Sequence, residues 1–344
     1  MIIADLPQML TVKPSIPVTF IIPTLNAAGI LTRCLSAIRN QTYPQNLIEI
    51  LVADGGSADT TKRIAGSYGA RVIPNPRVTH ESGKSLALSH ARGKLVFFTD
   101  ADNVIVGSDW VSKMVKAYRE TGAKGYLPRT SAPPDSSAIN RYLGHLFTDP
   151  FTWFVYSGLA HPDGFSRVVK PVKRTTDYYL YRFGPGRTPL FGLSQGSGIA
   201  RPFSRDGIAW HDDILAGVKL ISEGGLICYV PGARVYHYHV TGFTSYIRKY
   251  SDRIIRNLER REAGMGFPDR WKYLDSGKKI RSVLFILYAL SMVWPLVDAV
   301  RLVRKTRDPV MVWHVPASLT LALLIIGYTA RSGISRLSRT IWQA

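Results

Sequence analysis

Apolar positions along this 344-residue chain follow two different spacings in its first third. Residues 18–22 are a run of β-branched and aromatic side chains, and 47–52 and 95–98 are short, largely apolar stretches, the pattern of buried strands. Residues 71–73 read as a further short strand. Between these runs, 31–38, 59–68 and 85–91 repeat apolar residues at helical spacing. They end near Asn40, Gly69 and Gly93, residue types that stop helices. The alternation predicts an α/β domain with a mainly parallel central sheet and helices on both faces. Ligands of such sheets bind beyond the carboxyl ends of the strands. That rule selects residues 23–26, 54–59 and 100–103.

Residues 126–210 break the pattern, being rich in Pro, Gly and aromatics, and read as an irregular, substrate-facing half. Periodicity returns with a helix at 212–222, strands at 226–230 and 233–239, and a basic-faced helix at 244–261. Two apolar stretches follow at 283–297 and 310–328. The expected division is 1–125 for the nucleotide-side half, 126–243 for the acceptor half, and 244–344 for basic and apolar membrane-associating helices.

Composition sharpens this picture at one point. With 46% hydrophobic residues the chain can bury a core, but its formal net charge is +20. Such an excess calls for nucleic acid, an anionic membrane surface or phosphorylated substrates. The basic residues crowd into 248–281, among Tyr246, Tyr250, Trp271 and Tyr273, directly ahead of the apolar stretches. That placement fits lipid headgroups or a lipid-linked diphosphate, and no nucleic-acid recognition module is visible. Cys34 and Cys228 sit inside apolar runs and read as core residues.

Candidate chemistry lies at the strand ends. Asp100 and Asp102 follow the run at 95–98, and two carboxylates so spaced can share a divalent cation that bridges the phosphates of a nucleotide diphosphate. In Asp54-Gly55-Gly56-Ser57 the glycines allow a tight turn close to a ligand, and Asp54 can accept hydrogen bonds from a base or ribose. Asp212 and Asp213 open a helix, where acids suit the dipole. One of them can also serve as a general base. His237 and His239, two apart on a strand, point to one side of the sheet.

As a set these segments resemble glycosyltransferase family 2, enzymes of the GT-A fold. The resemblance runs from Phe20-Ile21-Ile22-Pro23-Thr24-Leu25-Asn26 through Asn40-Gln41-Thr42-Tyr43-Pro44, Asp54-Gly55-Gly56-Ser57 and Gly83-Lys84-Ser85. It continues in Ala91-Arg92-Gly93-Lys94, Phe98-Thr99-Asp100-Ala101-Asp102, His211-Asp212-Asp213 and residues 231–239. It implies that Pro23 and Asn26 flank the nucleotide, that Asp54 contacts the base and that Lys84 lies near the donor phosphates. Asp100 and Asp102 would bind nucleotide and metal. Asp213 would be the catalytic base, with Asp212 where many members carry Glu, and a histidine at 237 or 239 a further metal ligand. The implied cofactor is Mg²⁺ or Mn²⁺, and the implied donor a UDP- or GDP-linked sugar.

The expected function is inverting transfer of that sugar to a membrane-held acceptor, a lipid-linked saccharide or glycolipid, in cell-surface glycan synthesis. A processive polysaccharide synthase would carry Gln-x-x-Arg-Trp after the base, and that motif is absent. A non-catalytic scaffold would not need the full acid set, and a dinucleotide-binding oxidoreductase would need Gly-x-Gly-x-x-Gly after the first strand. Arg301, Arg304, Lys305 and Arg307 between the apolar stretches resist translocation. We therefore expect monotopic or re-entrant helices on the cytoplasmic face of the cell membrane.

Overall fold

The computed structural model describes residues 16–184, 187–203, 213–259 and 274–343. Their strands are β1 (Val18–Thr24), β2 (Ile48–Asp54), β3 (Arg71–Pro74), β4 (Leu95–Phe98), β5 (Asn103–Val106), β6 (Gly125–Ser131), β7 (Lys173–Arg174), β8 (Tyr179–Tyr181), β9 (Ser197–Ala200) and β10 (Ile227–His237). They form one sheet in the order β3-β2-β1-β4-β9-β6-β10-β8-β7, with β5 paired to β10. The quartet β3-β2-β1-β4 is parallel throughout. Beyond it β9 enters antiparallel, between β4 and β6.

The helices are α1 (Ala28–Arg39), α2 (Thr61–Ser67), α3 (His80–His90), α4 (Trp110–Thr121), α5 (Ala138–Leu146), α6 (Pro150–Tyr156), α7 (Asp213–Ser222), α8 (Phe243–Glu259), α9 (Ser276–Leu290), α10 (Val293–Thr306) and α11 (His314–Gln343). Two of the core layers explain the unbroken apolar runs. Phe20 and Ile22 of β1 face one layer, with Leu31, Leu35 and Ile38 of α1 and Trp110 and Met114 of α4. Ile21 between them faces the other, with Ala87 and Leu88 of α3 and Ala216 and Leu220 of α7. With both faces covered, period-2 alternation has no polar side to report. Cys34 and Cys228 are buried and free.

Several elements differ from the sequence reading. The two strands expected at 226–230 and 233–239 are one strand, β10, with a register shift between Val230 and Arg234. Pro231-Gly232 makes the irregularity without ending the pairing. The half at 126–210 holds β6 to β9, α5 and α6. The expected apolar stretch at 283–297 is split between α9 and α10, which meet at 95°.

A third core layer joins α5, α8, α9 and α11 through Tyr142, Leu146, Tyr246, Tyr250, Phe285, Tyr288 and Leu321, with Met311 from the turn before α11. At its centre His314 Nδ1 lies 2.9 Å from Tyr142 Oη and Nε2 lies 2.8 Å from Tyr288 Oη, one ring nitrogen donating and the other accepting. The segment Pro309–Ser332 is 24 residues long with mean hydropathy 1.9. Around the α9–α10 elbow, Val283, Leu287, Val293, Trp294 and Leu296 are exposed.

Candidate active site

Parallel pairing brings the carboxyl ends of β1, β2 and β4 to one edge, with Thr24 level with Asp54 and Ile21 level with Phe98. Pro23 lies inside β1, where β4 has already stopped, so its missing N–H breaks no bond on that side. The turn after β2 closes on Asp54. Its Oδ2 accepts from Gly56 N at 3.1 Å and Ser57 N at 2.9 Å, and its Oδ1 accepts from Ser57 Oγ at 2.5 Å and Thr24 Oγ1 at 3.2 Å. Four donors fill the carboxylate's acceptor capacity, and Gly56 supplies the required positive φ of 93°. Burial alone would raise the Asp54 pKa, but the bonds from Ser57, Gly56 and Thr24 together hold it below the ordinary value. Asn26 locks the same turn from β1: its N donates to Ser57 Oγ and its Oδ1 accepts from Ala58 N, both at 2.9 Å. Pro23, Asn26 and Asp54 thus form one rigid wall, in which Asp54 faces inward.

Asp100 and Asp102 stand in the loop between β4 and β5. Asn103 ties the loop, accepting from Asp100 N at 3.0 Å and donating to Asp102 Oδ1 at 3.1 Å. Lys84, buried on α3, gives its ammonium to Glu81 at 2.8 Å and faces Asp100 Oδ1 at 3.6 Å. That Asp100 oxygen is buried and has no hydrogen-bond partner among the described residues. Asp102 Oδ2 lies 3.4 Å from His237 Nε2. Burial pushes the Asp102 pKa up, but His237, Lys249 and His80 outweigh it and leave the carboxyl below its ordinary value. His237 and His239 do share a side, with ring centroids 4.7 Å apart. His239 is boxed in by Lys249 Nζ at 3.1 Å and Tyr250 Oη at 3.3 Å. Burial first, then the nearby positive charges, push its pKa well down, so it is neutral.

Two carboxylates, one with an orphaned buried oxygen, and an adjacent imidazole fit a hard divalent cation. Among the described residues no three such side chains already converge. The arrangement suits a cation that takes most of its ligands from phosphate and water. Asp212 lies outside the described residues. Asp213 is the first residue of α7, and its neighbour Ile214 lines the main cleft.

That cleft holds about 780 Å³. Leu25, Val78, Leu127 and Phe147 give it apolar walls, while Arg77, His80, Arg253 and Arg256 make it basic, with Glu81 the acidic lining residue. A recess of about 60 Å³ adjoins it and reaches His237 and His239 past Gln195 and Arg253. Sequence reasoning missed Glu81 and Gln195, took in Asn103 only as part of the strand-end segment 100–103, and assigned Arg253 to lipid headgroups or a lipid-linked diphosphate. Glu81 and Lys84 carried a usable signal, an acid–base pair three apart on a helix.

Strand order, helix layers and the acid pair after β4 define a GT-A type glycosyltransferase fold. The chain superposes on a mannosyltransferase of Pyrobaculum calidifontis, PcManGT, whose structure contains GDP-Man and Mn²⁺. The TM-score is 0.50 at 17% identity, covering 93% of this chain and 87% of that one. Residues 19–178 match the model of Glycosyl transferase family 2. Glycosyltransferase AglE of Haloferax volcanii is 29% identical over 133 residues, which cover 36% of this chain and 43% of that protein. The 4,4'-diaponeurosporenoate glycosyltransferase of Staphylococcus aureus is 34% identical over 115 residues, covering 32% and 30% respectively. The chain spans less than half the length of these curated relatives.

Proposed function

We propose that the protein is an inverting, metal-dependent glycosyltransferase that moves sugar from a UDP- or GDP-linked donor to a lipid-linked saccharide or glycolipid. The observation that carries this is the approach of His237 to Asp102 at 3.4 Å, in the loop that also carries Asp100, close to a large basic cleft. Asp100, Asp102 and His237 would hold Mg²⁺ or Mn²⁺, with His239 fixing the His237 ring. When bound, the metal neutralises charge developing on the departing diphosphate. Pro23, Asn26 and the turn shaped by Asp54 form the wall for the nucleotide, and Lys84 balances Asp100. Asp213, or Asp212 beside it, takes the proton of the acceptor hydroxyl, so the oxygen attacks opposite the leaving group and inverts the anomeric centre. The Mn²⁺ and GDP-Man in the similar mannosyltransferase structure are the same class of ligand.

The acceptor side rests on α8. This helix lines the cleft with Arg253 and Arg256 and packs Tyr246 and Tyr250 against the C-terminal helices. The exposed apolar elbow of α9 and α10 lies in the headgroup region of an anionic membrane, and the basic residues around it stay on the cytoplasmic face. A panel of UDP-, GDP- and dTDP-sugars, scored by thermal stabilisation with and without Mn²⁺, tests the donor reading. Absence of metal-dependent stabilisation by every member would refute it.

A further inference from the structure

The chain enters β9 through a turn at Ser194 to Ser197, closed by Ser197 N donating to Ser194 O at 2.9 Å. Both central residues have positive φ, 53° at Gln195 and 78° at Gly196, the pattern of a type I′ turn. Such turns favour Asn, Asp or Gly at their centre. Gly196 meets that demand and has no room for more, since a Cβ there would lie 3.0 Å from Val235 Cγ2 and 3.3 Å from Trp110 Cζ2. Gln195 does not meet it: a long side chain is held on left-handed backbone, a strain that collects at functional sites.

Internal contacts do not explain the choice. Gln195 Oε1 is buried with no hydrogen-bond partner among the described residues. A buried carbonyl oxygen without a donor costs free energy until a donor arrives. Its position indicates where that donor comes from. Gly196 N donates to Phe98 O at 2.8 Å, and Ser197 pairs with Phe98. Continuing the antiparallel count brings Gln195 abreast of Asp100, whose Oδ1 is likewise buried and has no hydrogen-bond partner among the described residues. Gln195 also lines both the main cleft and the recess that holds His237 and His239.

We propose that Gln195 recognises the donor sugar, its side-chain carbonyl accepting a hydrogen bond from a ring hydroxyl or an acetamido N–H. This deepens the glycosyltransferase reading and rests on it. A carboxamide oxygen cannot pair with a phosphate oxygen, which at neutral pH is itself an acceptor. If the cation beside Asp100 takes the diphosphate, the next donor-bearing group outward is the sugar attached to it. Gln195 then selects for sugars that keep a donor at that position, and deoxy or fluoro analogues lose the bond.

The test compares the best-stabilising nucleotide-sugar of the UDP, GDP and dTDP panel with its parent nucleoside diphosphate, each with Mn²⁺. Wild type is measured beside Gln195→Asn and Gln195→Gly, both suited to the turn, so the variants fold with an unchanged or higher Tm. Expected are nucleoside diphosphate affinity unchanged within about 2-fold and nucleotide-sugar affinity and kcat/KM lowered ~10-fold or more. A turn-only role predicts a changed Tm with sugar binding intact, which would overturn the assignment. Equal losses for diphosphate and nucleotide-sugar, or a rise in acceptor KM alone, would overturn it too. If wild type binds no nucleoside diphosphate with Mn²⁺, the glycosyltransferase reading itself fails and this inference with it.

Discussion

His237 Nε2 stands 3.4 Å from Asp102 Oδ2 because β5 and β10 pair antiparallel with Asn103 level with His237. A carboxylate from the loop after β4 and an imidazole from the end of β10 therefore share one small volume. Asp102→Asn removes the charge while keeping the Asn103 contact geometry. Calorimetry of nucleoside diphosphate with Mn²⁺ should show binding lost, and circular dichroism should show the fold retained. Unchanged affinity in the presence of Mn²⁺ would remove Asp102 from the site.

Asp213 and Asp212 separate by rate. Loss of a general base costs about 10²–10⁴-fold in transfer with little change in ground-state binding. We expect Asp213→Asn to keep donor affinity and lose transfer in that range, while Asp212→Asn keeps most activity. The reversed result would move the role to Asp212. Full activity in both variants would leave only a helix-dipole role at the start of α7.

Within the parallel quartet β1, β2 and β4 were legible because strands buried on both faces write themselves as apolar runs, and Phe20, Ile21 and Phe97 needed no tertiary context. The acid pair was legible for the same reason, since its strand ends in plain view at Phe98. What remained hidden depends on distant pairing. Asp102 meets His237 only through β5, four residues merged with the acid loop. The α9–α10 break carries Ser291-Met292 and no glycine, while Pro295 falls in the first turn of α10, where its missing N–H costs nothing. Asp54 looked like a free acceptor, yet its turn consumes both oxygens. Gln195 lies in a segment without periodicity, and only its backbone angle and unmatched oxygen single it out.

Asp54 gives an acid-stability prediction. Its folded pKa is lowered, so it contributes stability that is fully present above the ordinary carboxylate value of about 3.9 and is lost as pH falls through the folded value. Asp54→Asn sets an amide N–H₂ or a neutral oxygen against the Gly56 and Ser57 donors. The cost should be about 1–3 kcal/mol at pH 7. Chemical denaturation across pH should show the gap between wild type and variant narrowing below pH ~4. A gap constant down to pH 2 would mean that the carboxylate's charge contributes nothing to the turn.

The α9–α10 elbow yields the membrane prediction. Leu287 is 67% and Trp294 60% exposed, on opposite sides of a 95° bend. Lys279, Arg281, Arg301, Arg304, Lys305 and Arg307 belong to the same two helices and the residue that follows them. An apolar elbow collared by cations should enter the headgroup region without crossing it. Burying each such side chain is worth about 1.5–3 kcal/mol, and each well-placed cation adds about 1 kcal/mol on anionic lipid. Full-length protein should therefore sediment with vesicles containing phosphatidylglycerol and do so less in high salt. Leu287→Glu with Trp294→Glu should lower that binding more than 10-fold while leaving the Tm unchanged, since neither side chain is in a core layer. Thr306→Cys should react with an impermeant thiol reagent from the catalytic side of sealed vesicles and be protected from the other. Labelling from the opposite side would show that the chain crosses the bilayer between α8 and Thr306, and the monotopic arrangement would have to be abandoned.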